Sequence, residues 1–216
     1  MLYFKKNITA ALVVVLLAAT SAFAGDNPSE INQRSGIGDP VAGKEKSALC
    51  QGCHGEDGNS ATPAFPKLAG QWSDYIQKQV RNFQSLSRIN ETMNEMALNV
   101  INFEDLYDIA AYFASQKVMT GEPTRNEAGR KIFYEGIAER GVFRCVKCHG
   151  ENGKGEPLNN NLFPVIGGQY KDYIVKQLQE FKSGFRENDH SGMMPRITSN
   201  MTEADMEAVA EFLSGR

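Results

Sequence analysis

All four cysteines and two of the three histidines fall into two copies of one pattern, Cys50-Gln51-Gly52-Cys53-His54 and Cys145-Val146-Lys147-Cys148-His149. C-x-x-C-H is the attachment pattern of c-type haem. Thiols three residues apart can each reach one of two neighbouring vinyl groups and form thioether bonds. The histidine that follows is then placed to give a nitrogen to the iron. The sequence therefore predicts two covalent haem c groups, held by Cys50 and Cys53 and by Cys145 and Cys148, with His54 and His149 as axial ligands. A zinc ribbon would set its C-x-x-C pairs about 15–20 residues apart. Here Cys53 and Cys145 are 92 residues apart, and each pair brings its own histidine. A disulfide or thioredoxin-like reading leaves both histidines unused.

A low-spin electron carrier needs a sixth ligand, and the soft thioether of methionine favours ferrous iron. Met201 and Met206 match apolar helix positions, and Met119 sits at the junction of the two halves. One close pair remains in each half, Met93 with Met96 and Met193 with Met194, each before a final helix. Met93 is seven residues before Val100, and Met194 is seven before Met201. These two are the predicted ligands, with Met96 and Met193 as the alternatives. His190 lies in a polar segment, 187–191, and reads as an exposed loop residue, or else as a substitute ligand where Met194 is lost. A ligating histidine usually donates its other N–H to a carbonyl or carboxylate. Pro66 and Pro164 stand in matched loops after each motif, and their stiff backbone and free carbonyl suit that task. Tyr75, Tyr173, Gln71 and Gln169 could bind haem propionates through their polar ends, although helix packing explains the tyrosine rings equally well.

The elements that must position these groups also occur twice. Residues 65–71 (FPKLAGQ) return at 163–169 (FPVIGGQ), 98 positions later. Trp72, Tyr75, Ile76, Val80 and Phe83 match Tyr170, Tyr173, Ile174, Leu178 and Phe181, both at amphipathic-helix spacing. A later helix carries Leu106, Ile109, Ala110 and Phe113, matched 100 positions on by Met206, Val209, Ala210 and Leu213. Asn102 is a candidate N-cap, and Thr202 with Asp205 has the form of a capping box. Each repeat reads helix, C-x-x-C-H, loop, helix, long loop, helix, and strand-like alternation is scarce. The expectation is an all-α protein of two tandem domains, 41–120 and 121–216, with Gly121 and Pro123 interrupting the helical pattern between them.

Lys5 and Lys6, an apolar run over 8–19 and an A-x-A site at 22–24 read as a signal peptide over 1–24. Residues 25–40 read as a flexible leader. Export suits thioether attachment, which in bacteria belongs to an oxidising compartment, so the periplasm is expected after cleavage near Ala24-Gly25. The net charge of −3 becomes −5 without Lys5 and Lys6, which argues against nucleic acid as a partner.

Together these residues resemble the dihaem cytochromes c4. The resemblance runs from just after the signal to the last residue. It rests on the two C-x-x-C-H motifs, the F-P-x-[LI]-x-G-Q stretch after each, the helix over 105–113 and the methionine before each last helix. It implies two class I cytochrome c domains, each a small fold of three helices plus loops. They would be related by a pseudo-two-fold axis, with haem propionates meeting between them. It implies an electron carrier of the respiratory chain and not an enzyme, with Met93 and Met194 as ligands. A quinol-oxidising complex (quinol-cytochrome c reductase) would be the donor and a terminal oxidase or reductase the acceptor, with peripheral membrane contact open. The alternative is the dihaem electron-accepting subunit of a dehydrogenase, such as a sulfide-oxidising flavocytochrome. One departure from the family pattern stands out, an extra residue within 100–105 on the approach to the helix.

Overall fold

A computed structural model describes residues 34–155 and 163–216. The signal-peptide assignment, at 1–24, lies outside the described residues. Among the described residues each half contains five α-helices in the same order. The first half has α1 (Pro40–Lys46), α2 (Ala48–His54), α3 (Ser73–Gln84), α4 (Glu91–Ala97) and α5 (Phe103–Ser115). The second has α6 (Glu127–Glu135), α7 (Val146–His149), α8 (Lys171–Ser183), α9 (Met193–Thr198) and α10 (Glu203–Ser214). No β-strand occurs among the described residues, only one isolated bridge between Ile137 and Val142.

The three helices expected in each half are α1, α3 and α5, then α6, α8 and α10. The structure adds two short ones per half. One carries the C-x-x-C-H motif and one carries the methionines. Helix starts follow local chemistry. Asp39 caps α1, which has proline in its first turn. Asn102 Oδ1 accepts from Asp105 N at 2.8 Å to start α5, and Thr202 and Asp205 form a complete capping box on α10.

The first helix of each half crosses its last. A Cβ on Gly43 would stand 1.9 Å from the Asp108 carbonyl oxygen, and one on Gly129 1.9 Å from that of Ala208. The backbones touch at these points, and no other residue type fits. Ile76 and Phe83 of α3 and Leu106, Ile109 and Phe113 of α5 are buried in the first half. Ile174, Phe181, Met206, Val209 and Leu213 are buried in the second. A third cluster joins the halves and comprises Ala69, Trp72, Val118, Met119 and Val165. The part of the leader that is described also packs. Arg34 and Ser35 are buried, and the Arg34 guanidinium lies 5.2 Å over the Trp72 ring.

Candidate dihaem site

A single cavity of about 1020 Å³ runs through both halves and is lined by all four cysteines and by His54 and His149. That is at the upper end of the usual range for small-molecule sites, ~300–1,000 Å³. Each motif ends on a short helix that closes at its histidine, with Cys145 as the N-cap residue of α7, and a positive-φ glycine follows in both cases, Gly55 and Gly150. The chain then turns back, bringing the proline loop against the histidine. His54 Nδ1 lies 2.8 Å from the Pro66 carbonyl oxygen, and His149 Nδ1 lies 3.0 Å from that of Pro164. A proline carbonyl only accepts, so each Nδ1 carries the proton and each Nε2 keeps a free lone pair. Burial holds both imidazoles below their ordinary range, so they are neutral at pH 7. Burial also pushes the Cys50 and Cys148 thiols up, and Cys145 up to about 12. Among the described residues no three His, Cys, Asp or Glu side chains are grouped to hold a metal ion by themselves.

Met93, Met96, Met193 and Met194 all line the cavity. Backbone register separates them. Val100 N donates to Ala97 O, and Met201 N donates to Thr198 O; one residue earlier, Asn99 N donates to Met96 O and Asn200 N to Ile197 O. Ala97 and Thr198 are the buried residues of α4 and α9. Met93 and Met194 therefore hold the same position, four residues before that buried residue. Met96 corresponds to Ile197, and Met193 to Thr92. The extra residue on the approach to α5 is Ile101. It is 90% exposed, and it separates Val100 from the cap Asn102 where Met201 and Thr202 are adjacent. His190 is exposed at the rim of the cavity.

Two buried arginines, which sequence reasoning missed, line the cavity. Arg88 donates to Tyr173 Oη at 3.0 Å, Gln177 Oε1 at 2.6 Å and Gln79 Oε1 at 2.8 Å. Arg186 donates to Tyr75 Oη at 3.1 Å, Gln79 Oε1 at 3.4 Å and Gln177 Oε1 at 2.5 Å. Each reaches the tyrosine of the other half. The two arginines are 98 positions apart, the offset of the repeat, so their recurrence was visible in the sequence. Arg186 Nε also donates to Asn188 Oδ1 at 2.8 Å, and no carboxylate forms an ion pair with either arginine among the described residues. Two buried cations bonded only to neutral groups leave the cavity suited to anions, as the carboxylates of a haem require.

Gln71 and Gln169 also cross between the halves. Gln71 accepts from Val165 N at 2.9 Å and donates to Val165 O at 2.9 Å. Gln169 accepts from Lys67 N at 3.0 Å and donates to Lys67 O at 2.9 Å. Both amides bind main chain of the opposite half, contacts that the sequence reading of them as propionate partners did not include. Paired contacts that exchange partners in this way define an isologous interface, here within one chain.

These features describe a two-domain, all-α c-type cytochrome. A family model for cytochrome c matches residues 41–117 and 127–216. The chain is 39% identical over 189 residues to a cytochrome c4 of Stutzerimonas stutzeri, covering 82% of this chain and 89% of that protein. The crystal structure of reduced cytochrome c4 from Pseudomonas stutzeri superposes with a TM-score of 0.77 at 38% identity, covering 82% of this chain and 98% of the other. A thiosulfate dehydrogenase electron acceptor of Thiomonas intermedia is 30% identical, over 82% of each chain. The chain belongs to the cytochrome c family and, within it, to the dihaem cytochromes c4. It binds two covalent haem c groups and carries electrons; it is not an enzyme.

Proposed function

We propose that this protein shuttles single electrons through the periplasm, from a quinol-oxidising complex to a terminal oxidase or reductase. Its domains are 41–120 and 121–216, preceded by a leader and a cleaved signal. Cys50 and Cys53 hold the first haem, with His54 and Met93 on its iron. Cys145 and Cys148 hold the second, with His149 and Met194. The observation that carries this reading is the repeated set around one cavity. In each half a histidine is fixed by a proline carbonyl, and a methionine stands at the same step of a short helix. When bound, the haem supplies a one-electron Fe(III)/Fe(II) couple. The protein's own part is to hold the imidazole tautomer, supply a thioether, limit water and place cations. Pro66 and Pro164 fix the histidines. Arg88 and Arg186, steadied by Tyr173 and Tyr75, would receive the haem carboxylates. No helix of the described residues is long and apolar enough to cross a membrane.

The test is the spectrum of the purified protein. Two haems per chain, a c-type reduced band and the weak far-red ferric band of methionine ligation are expected. A high-spin ferric haem in either half would refute the ligand set. A second reading, the electron-accepting subunit of a dehydrogenase, is favoured by the likeness to a thiosulfate dehydrogenase electron acceptor. Co-purification with a dehydrogenase at fixed stoichiometry would select it.

A further inference from the structure

The carbonyl that accepts from His54 and the N–H that donates to Gln169 belong to one peptide group, the link between Pro66 and Lys67. The same holds for the link between Pro164 and Val165, whose carbonyl accepts from His149 and whose N–H donates to Gln71. Both glutamines are 5% exposed. Their amide orientation is settled by the network, because each oxygen accepts two backbone N–H groups and each nitrogen donates to a carbonyl.

We propose that Gln71 and Gln169 are positioning residues that tune the axial histidine of the opposite half, so that each domain sets part of the other's reduction potential. This rests on the His/Met haem reading above. An N–H that donates to a good acceptor polarises its peptide, and its carbonyl becomes a better acceptor in turn; such chains strengthen each bond by roughly 10–30%. A stronger bond to Nδ1–H leaves more electron density on the imidazole and makes it a more basic ligand. A more basic ligand favours ferric over ferrous iron. Gln169 should therefore hold down the potential of the N-terminal haem, and Gln71 that of the C-terminal haem. The glutamines sit in one domain and act in the other, which distinguishes this from any effect of local packing.

The experiment is spectroelectrochemistry of Gln169→Met and Gln71→Met in the full dihaem protein, with each potential assigned from haem-methyl NMR shifts. Gln169→Met should raise the N-terminal potential and leave the C-terminal one near wild type; Gln71→Met should do the reverse. In the ferrous protein the His54 Nδ1–H resonance should move upfield in Gln169→Met while that of His149 stays. Gln169→Glu keeps an acceptor for Lys67 N–H and should return the N-terminal potential to the wild-type value or below it. Potentials that move together, move in the substituted half, or do not move would overturn the proposal. Each half has its own core, so a glutamine needed for haem attachment or folding would be structural, and that result would overturn it as well. Failure of the underlying reading would show separately, as missing methionine ligation in the unaltered protein.

Discussion

The two halves close the same helix crossing with different chemistry. In the N-terminal half Asp108, on α5, accepts from Asp39 N at 2.8 Å and from Lys46 Nζ at 2.5 Å, so charge fastens α1. In the C-terminal half the fastening is aromatic. Phe212 of α10 packs tilted against Phe133 at 5.6 Å and edge-on to Tyr134 at 6.0 Å between ring centroids. What both halves retain is the glycine at the point of contact, Gly43 and Gly129. Backbone approach is fixed by sterics, whereas several side-chain solutions hold the same approach once it is made. Charge also differs between the halves. Residues 25–122 contain 8 basic and 13 acidic side chains, net −5, and residues 123–216 contain 13 of each, net 0.

The largest expected effect breaks one half and spares the other. Met93→Ala should remove methionine ligation from the N-terminal haem, lower its potential by a few tenths of a volt within the ~0.8 V that axial ligands command, and halve the far-red band. Met194→Ala should do the same to the C-terminal haem. Met96→Ala should leave the band intact, because Met96 stands where the second repeat has Ile197. Full band intensity in Met93→Ala together with half intensity in Met96→Ala would reverse the ligand assignment.

A smaller effect separates the acid responses of the two halves. Lys46 holds the Asp108 carboxyl below the usual carboxylate range, and Arg140 does the same to Asp205 in the other half. A carboxylate depressed in the folded state binds its proton more readily when unfolded. Each pair therefore contributes stability above the unfolded value of about 3.9 and loses it as pH falls through the folded value. Asp108→Asn should cost the N-terminal half about 1–3 kcal/mol at neutral pH and flatten its acid dependence alone. Asp205→Asn should flatten that of the C-terminal half. Thermal melts followed at each haem across pH 2–7 would read both; equal responses of the two halves to Asp108→Asn would show that they do not melt as separate units.

The smallest effect is the split in potential. Reduction adds an electron, which a more negative surrounding opposes. Five charges at ~15 Å in high dielectric, after screening, amount to about 20–45 mV. The C-terminal haem should have the higher potential, and Arg144 and Lys147 at its motif act in the same direction. Spectroelectrochemistry of Met93→His and Met194→His would assign each value. A higher N-terminal potential would show that local ligation outweighs domain charge.

Much of this was legible in the sequence because it is local or repeated. The C-x-x-C-H spacing, the 98-residue offset and the caps at Asn102 and Thr202 depend on neighbours in the chain. The short helices α4 and α9 were not legible. At 7 and 6 residues they are too brief for a periodic stripe to emerge. The arginines recur at the repeat offset, but that each would reach across to the other half is a property of the assembled interface. Gln71 and Gln169 stood out by their recurrence at the repeat offset, while their partners, main-chain groups of residues 165 and 67, have no side-chain signature to read.

The glutamine contacts also bear on how such a protein diverges. In a dimer of identical chains, a substitution at a two-fold contact is made on both sides at once. In a fused tandem it is made once, and each side is free to find its own use. Gln71 and Gln169 grip only backbone, so the residues they hold need not match. Lys67 sends its ammonium to the carbonyls of Thr120 and Gly168, while its counterpart Val165 is buried in the apolar seam. A symmetric grip on main chain has let one duplicated position become a tether and the other a piece of core.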